Sequence, residues 1–323
     1  MIQFTIENDK IVHGENVIYV GWSKATLDSG GIEPFPEDYD GWFPFVRTGY
    51  SFGDLASPSG LFEALKTKYP KMKIAVPSDE WLEHAFGRQL DNWSFNSDRT
   101  WKDNVRDVLG KNPHIDYRFN VGDFDSAWCD HERVYTNLVN TPNGLVSCDE
   151  PLVEQILRRF GFTEHDLKTI DSSPKLYFTE SEIEKCNEFV KSHVGDREYG
   201  CLLFSTRLGA RHTRWSFDHV LKKYAEKYKD KPVFFYSQFV LDKTWWSDLF
   251  PERITFESSG LSLREQIYIK QQALFNIGWC GGVTEAATGH GSDMISLCPY
   301  DTVKQNCIRG SRYVFRNGQE KQI

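Results

Sequence analysis

The second half of this 323-residue chain switches repeatedly between two hydrophobic periods, and that switching constrains the fold more than any other feature. Residues 179–195 (TESEIEKCNEFVKSHVG) read as a helix opened by a Thr179-to-Glu182 capping pattern. YGCLLFST (199–206) follows, a strand with a continuous apolar centre. An amphipathic helix (216–228), a strand (232–238), a helix (261–273), a strand (274–280), a short helix after a Gly-Gly turn (282–291) and a strand (294–300) complete the series. Strands separated by helices cannot close as hairpins, so they pair in parallel. This half is therefore expected to be a parallel α/β domain.

The first half carries the same unit in a less regular setting. WFPFVR (42–47) suits a buried strand, and SGLFEALKTKY (59–69) spaces Leu61, Phe62, Leu65 and Tyr69 as a helix that Pro70 stops. KIAVP (73–77) is the next strand. Further on, helical pieces (EWLEHAF, TWKDNVRDVLG) alternate with short strands (IDYRFN, SAWC), and EPLVEQILRRFGF (150–162) is a helix. Residues 1–22 read as a hairpin whose strands QFTIE and NVIYVGW flank the turn NDKIVHGEN, with a Gly/Pro/Asp-rich loop over 23–41. Thr163–Pro174 is polar and irregular, and reads as a linker. The expected division is 1–168, with an extra hairpin and loop at 1–41, and 169–323. Two such domains in tandem are expected to face a cleft at the carboxyl ends of their strands, where open parallel sheets bind ligands.

Charge and cysteine usage narrow the function classes. The formal net charge of −8 does not favour a nucleic-acid footprint along the chain, although a local basic cleft is compatible with it. Seven cysteines without a C-x-x-C read as reduced thiols, not a disulfide frame or a zinc site. The start MIQFTIENDK carries charges where a signal peptide needs an apolar core, so no signal peptide is expected there, and no apolar run is long enough to span a membrane. A cytoplasmic protein is expected. No histidine pair has metal-ligand spacing, and no D-x-D offers a metal-bound diphosphate site, so no obligatory metal is expected.

Three stretches carry polar residues where chemistry could occur. Gly53-Asp54 lies between the first-half strand and its helix. An acid there could cap the helix through free N–H groups and the dipole, or could take a proton from an attacking hydroxyl. GWCGGVTEAATGHGS (278–292) runs a strand into Gly281-Gly282 and on into Val283, Thr284 and Glu285. Backbone N–H groups at such a start suit phosphate, and Glu285 could hold ribose hydroxyls, but ordinary turn chemistry gives the same pattern. STRLGARHTRW (205–215) ends a strand with Ser205 and Thr206 and adds Arg207, Arg211 and Arg214, which either neutralise a diphosphate or form a solvated basic loop.

Together these stretches resemble glycosyltransferase family 9, the bacterial heptosyltransferase family. GYSFGDLASPSGLFEALKTKYPKMKIAV (49–76) is similar to that family's strand, Gly-Asp, proline and Leu-Lys-x-x-Tyr-Pro run. PKLYFTESEIEKCNEFVKSH resembles its linker and helix, LLFSTRLGARHTRW its nucleotide-side strand and phosphate loop, and LSLREQIYIKQQALFNIGWCGGVTEAA its later helix, strand and Gly turn. The resemblance spans about 42–77 and 174–300. It implies a GT-B fold of two Rossmann-like domains and sugar transfer with inversion from a nucleotide-diphosphate donor, with no cofactor besides that co-substrate. By the same resemblance Asp54 is the general base, and Gly53 beside it is donor-binding. Ser205, Thr206, Arg207, Arg211 and Arg214 contact the donor phosphates, and Gly281, Gly282, Val283, Thr284 and Glu285 form the donor turn.

The chain departs from the family pattern in two places. Thr213 stands where many members carry lysine, leaving the charge to Arg211 or Arg214. Trp279-Cys280-Gly281 stands where the family has Asp-Thr-Gly, which argues against ADP-heptose as donor. Residues 1–41 have no counterpart and are assigned to acceptor recognition. The acceptor is open among a saccharide, a lipid-linked glycan and a hydroxymethylated DNA base, the last not favoured by net charge. A sugar-nucleotide epimerase and a nucleotide-sugar-binding protein without turnover are the alternatives.

Overall fold

The computed structural model describes residues 5–7, 10–13, 16–20, 37–45, 52–56, 58–87, 100–120, 123, 152–204, 217–237, 249–256, 259–279, 293–298, 310–315 and 318–322. The chain divides into two compact units, residues 1–146 with 152–173, and residues 147–151 with 174–323.

The first unit opens with an antiparallel meander of β1 (Thr5–Glu7), β2 (Lys10–His13) and β3 (Asn16–Val20). The expected two-stranded hairpin is therefore corrected to three strands. KIVH, read as part of the turn, is a strand that pairs antiparallel on both sides, with β1 and with β3. Next come β4 (Trp42–Pro44), a short helix α1 (Phe52–Ala56), α2 (Gly60–Lys68) and β5 (Lys73–Pro77). After them lie α3 (Asp79–Phe86), α4 (Trp101–Val108) and β6 (Tyr117–Phe119). β4, β5 and β6 pair in parallel in that order. SAWC (126–129) lies outside the described residues.

The unit ends with α5 (Leu152–Arg159) and α6 (Glu164–Thr169). α6 corrects the linker reading of Thr163–Pro174. Thr163 and Asp166 form a full capping box, so this polar stretch is locally helical. Asp166 also accepts a bond from Lys68 at the end of α2. Burial works to raise the Asp166 pKa, but Lys68 and Thr163 outweigh it and bring it down to about 2. The Tyr69 hydroxyl donates to the Phe160 carbonyl at 2.6 Å. A Cβ on Gly60 would come 2.0 Å from the Ser173 carbonyl oxygen, so only glycine allows α2 to start against that backbone. Residues 160–173 thus hold both ends of α2.

The second unit follows the expected alternation. It comprises α7 (Glu180–Val194), β7 (Gly200–Phe204), α8 (Asp218–Lys227), β8 (Val233–Ser237), β9 (Arg253–Thr255), α9 (Leu263–Gln271), β10 (Phe275–Trp279), β11 (Asp293–Cys298), β12 (Arg312–Phe315) and β13 (Glu320–Gln322). β9, β12 and β13 were not anticipated from the sequence. The helix expected at 282–291 lies outside the described residues. Among the described residues the sheet order is β13-β12-β11-β10-β7-β8-β9, parallel except for β13.

Both faces of this sheet are buried, as its continuous apolar strands require. Leu202, Val233, Phe235, Ile277 and Ile295 pack on one face with Phe217, Val220, Leu221 and Tyr224 at and within α8. Cys201, Leu203 and Phe234 pack on the other with Cys186 and Val194 of α7 and Ile269 of α9. Gly200 lets the Phe275 ring lie close, since a Cβ there would come within 2.0 Å of it.

Helices α7 and α9 begin side by side and cap each other. Each has a capping box, Thr179 with Glu182 and Ser262 with Glu265. Each box carboxylate also takes a cation from the other helix. Arg264 of α9 donates to Glu182 at 2.8 Å, and Lys185 of α7 donates to Glu265 at 3.0 Å. Burial tends to raise the Glu265 pKa, but Lys185 and Ser262 prevail and the net shift is downward.

Lys270 of α9 is fully buried. Burial pulls its pKa from 10.5 down to about 8, partly opposed by Cys201. A lowered lysine pKa means the unfolded chain binds more protons, so the cost of burying the charge is complete below pH 8 and fades as pH rises toward 10.5. The stability of the wild type relative to Lys270→Met is therefore expected to rise between pH 8 and 10.5. Urea unfolding of both proteins at pH 7 and pH 10 checks this, and a gap that stays constant would refute it.

Candidate functional site

In chain order the parallel strands β7 to β12 occupy sheet positions 3-2-1-4-5-6. The order reverses between β7 and β10, which pair directly, Phe275 with Gly200 through Gly278 with Leu203. Connections leaving two neighbouring strands at such a reversal diverge to opposite faces, and the crevice at their carboxyl ends is where open α/β sheets bind ligands. The chain leaves β7 after Phe204 and β10 after Trp279.

The segments that follow are 205–216 and 280–292, the two stretches singled out by their polar residues. Ser205, Thr206, Arg207, Arg211, Thr213, Arg214, Cys280, Gly281, Gly282, Val283, Thr284 and Glu285 all lie outside the described residues. What is described is the frame that delivers the chain to them.

Trp279 belongs to that frame. Successive strand residues point to opposite faces, so Phe275, Ile277 and Trp279 share the α8 side, and all three are in the core there. Trp279 is 2% exposed. Its ring meets Phe217 edge-to-face, with centroids 5.5 Å apart and planes at 74°. Trp279, read from the sequence as a departure from a family pattern, is a core residue at the end of β10. The i, i+2, i+4 spacing of aromatic and branched residues in FNIGW was the available signal.

In the first unit, Asp54 lies in the first turn of α1 and Gly53, half-buried, precedes it. The side chain of Asp54 is outside the described residues. It is not the cap of the following helix, because Ser59 occupies the N-cap position of α2. Ser59 in turn donates its hydroxyl backward to the Ala56 carbonyl at 2.6 Å, tying the end of α1 to the start of α2. Buried Phe52, Leu55 and Ala56 anchor α1, which packs against α4. An apolar anchor on a five-residue helix fixes the backbone at Asp54 independently of what its carboxylate does.

Among the described residues, no group of three His, Cys, Asp or Glu side chains is placed to hold a metal. No helix among them is long and apolar enough to cross a membrane.

No protein-family model matches the sequence, and no curated protein matches it. Solved structures do. The crystal structure of a glycosyltransferase family 9 protein from Veillonella parvula aligns over 87% of this chain and 87% of its own, at 13% identity and a TM-score of 0.51. The ADP-heptose LPS heptosyltransferase II of E. coli aligns over 87% of this chain and 93% of its own, at 13% identity and a TM-score of 0.43. The fucosyltransferase NodZ from Bradyrhizobium aligns over 76% and 90%, at 13% identity and a TM-score of 0.35. Identity this low speaks to fold. By its likeness to the Veillonella structure, this chain has the α/β fold of the GT-B glycosyltransferases, built from two Rossmann-like units.

Proposed function

We propose that the protein is a glycosyltransferase that moves a sugar from a nucleoside-diphosphate donor to an acceptor hydroxyl, with inversion and without an obligatory metal. The observation that carries this reading is the reversal of strand order between β7 and β10. The two segments richest in diphosphate-binding chemistry leave the chain directly after those two strands. In this reading Arg207, Arg211 and Arg214 neutralise the diphosphate, with Ser205 and Thr206 as further donors. Backbone N–H groups of Gly281, Gly282 and Val283 hold its oxygens, and Thr284 and Glu285 complete the turn beside the nucleoside.

Asp54 takes the acceptor proton as the hydroxyl oxygen attacks the anomeric carbon. The new C–O bond forms on the face opposite the diphosphate, and the bond to the diphosphate breaks with its electron pair. Fixed positive charge around the leaving group lowers the barrier most where negative charge develops. Residues 1–41 serve acceptor recognition, and the acceptor is a glycan or another hydroxyl compound. Trp279, held in the core, leaves no carboxylate at the end of β10 to contact the donor sugar, so a donor other than ADP-heptose is favoured.

The reading is tested by titrating UDP, ADP, GDP, CDP and dTDP into the protein by calorimetry, with and without magnesium. Micromolar binding of one nucleotide, equal in both conditions, is expected. Binding of none of the five, or binding only with magnesium, would count against a metal-independent transferase.

A further inference from the structure

Ser59 stands at the N-cap position of α2 but does not cap it. Its backbone is already helical, with φ −61° and ψ −26°, and its side chain makes no capping bond. A serine caps a helix from extended backbone, its oxygen accepting from the first turn. The Ser or Thr at the starts of α3, α4, α6, α7 and α9 does so. The Ser59 hydroxyl instead donates backward to the Ala56 carbonyl at 2.6 Å, and the Ser59 N–H reaches the same oxygen at 3.1 Å. Ser59 is completely buried.

This bond supplies what α1 lacks by itself. α1 has five residues, and a helix that short is unstable in isolation. Buried Phe52, Leu55 and Ala56 and the packing on α4 hold its side, and Ser59 holds its carboxyl end. Ser59 is itself located by its neighbour. A Cβ on Gly60 would come 2.0 Å from the Ser173 carbonyl oxygen and 2.4 Å from that of Ser172, so the start of α2 lies directly on this backbone. Asp171 sets that backbone in turn, its Oδ1 accepting from the Ser173 N–H at 2.9 Å and from the Ser173 hydroxyl at 2.6 Å. Short contacts therefore run without a break from residues 171–173 through Gly60 and Ser59 to Ala56, on the same single turn as Asp54.

We infer that Ser59 is a positioning residue for Asp54, its backward hydrogen bond fixing α1 in the place from which Asp54 serves the acceptor hydroxyl. The inference rests on reading Asp54 as the general base. A displacement of about 1 Å in a reacting group can cost roughly 10²-fold in rate. Alanine at position 59 removes the hydroxyl bond, while the backbone N–H keeps the Ala56 carbonyl paired. The fold is thus retained and α1 is loosened.

The test compares wild type, Ser59→Ala, Asp54→Asn and the Asp54→Asn/Ser59→Ala double variant. Turnover is read as nucleoside diphosphate released from the glucose, galactose and mannose conjugates of UDP, ADP, GDP, CDP and dTDP, with a panel of saccharide acceptors. Calorimetric affinity for the released diphosphate and thermal unfolding are measured beside it. We expect Ser59→Ala to lose roughly tenfold or more in kcat, to bind the diphosphate within about twofold of wild type, and to melt only a few degrees lower. In the Asp54→Asn background the same substitution should cost almost nothing further, as residues acting through one another require. Ser59→Ala at the wild-type rate, or an equal loss in both backgrounds, would overturn the positioning role and leave Asp54 as the base. Asp54→Asn at the wild-type rate, or a wild type that turns over none of the donors, would overturn the reading of Asp54 and the inference with it. If Ser59→Ala does not fold, Ser59→Cys, whose thiol fills the space and is only a weak donor, decides by the same comparison.

Discussion

Asp54→Asn is expected to reduce sugar transfer by roughly 10²- to 10⁴-fold, the usual contribution of a positioned general base. Nucleoside-diphosphate affinity should stay within about twofold, because the substitution alters proton acceptance and not the donor-binding segments. The two side chains are nearly the same size, and the backbone at position 54 is fixed by the buried Phe52, Leu55 and Ala56 around it. Thermal stability should therefore change little. The assay is donor turnover with a panel of saccharide acceptors, beside calorimetric binding. A variant that keeps the wild-type rate would remove Asp54 from the mechanism. A wild-type protein that binds donor and never turns it over would favour a binding protein on a transferase scaffold.

The second large effect concerns stability. The Arg264 side chain is 4% exposed and Glu182 15%. Arg264 also donates to the Tyr177 carbonyl and lies over the Phe178 ring, 5.1 Å from its centroid. Arg264→Ala takes the guanidinium away from the Glu182 carboxylate and removes the contacts with Tyr177 and Phe178. Breaking a buried pair from one side costs about 3–5 kcal/mol. A loss of that size is expected in urea unfolding of Arg264→Ala. A much smaller loss is expected for Lys185→Ala, whose side chain is half-exposed. Equal losses in the two variants would contradict this ranking.

Much of the architecture is legible in local sequence because the elements obey local rules. The helix at Glu180–Val194 starts at its capping threonine and ends at Gly195, and KIAVP is strand from first residue to last. Readings failed where local composition and tertiary placement diverged. Thr163–Asp166 is as good a capping box as Thr179–Glu182, but its helix has six residues and a polar surface, so periodicity is too short to register. RIT at 253–255 shows no strand pattern and is ordered by pairing with β8. The candidate site divides in the same way. Gly53-Asp54 and the two polar segments stand out in the sequence, whereas the adjacency of β7 and β10 and the Phe217–Trp279 contact join residues some 60 to 80 positions apart, beyond any local signal.

The strand order has a further consequence for how the second unit is made. β7 is the first strand of this sheet to leave the ribosome, and it ends up in the interior, third from the β9 edge. β8 and β9 can add to one side of it soon after synthesis. Its other side waits for β10, which is complete only at residue 279. Until then the apolar run Gly200–Phe204 is an unprotected edge, open to pairing with another nascent chain. The reversal of strand order therefore leaves β7, an interior strand of the finished sheet, with one open edge during translation, an aggregation hazard that ends only when β10 is made.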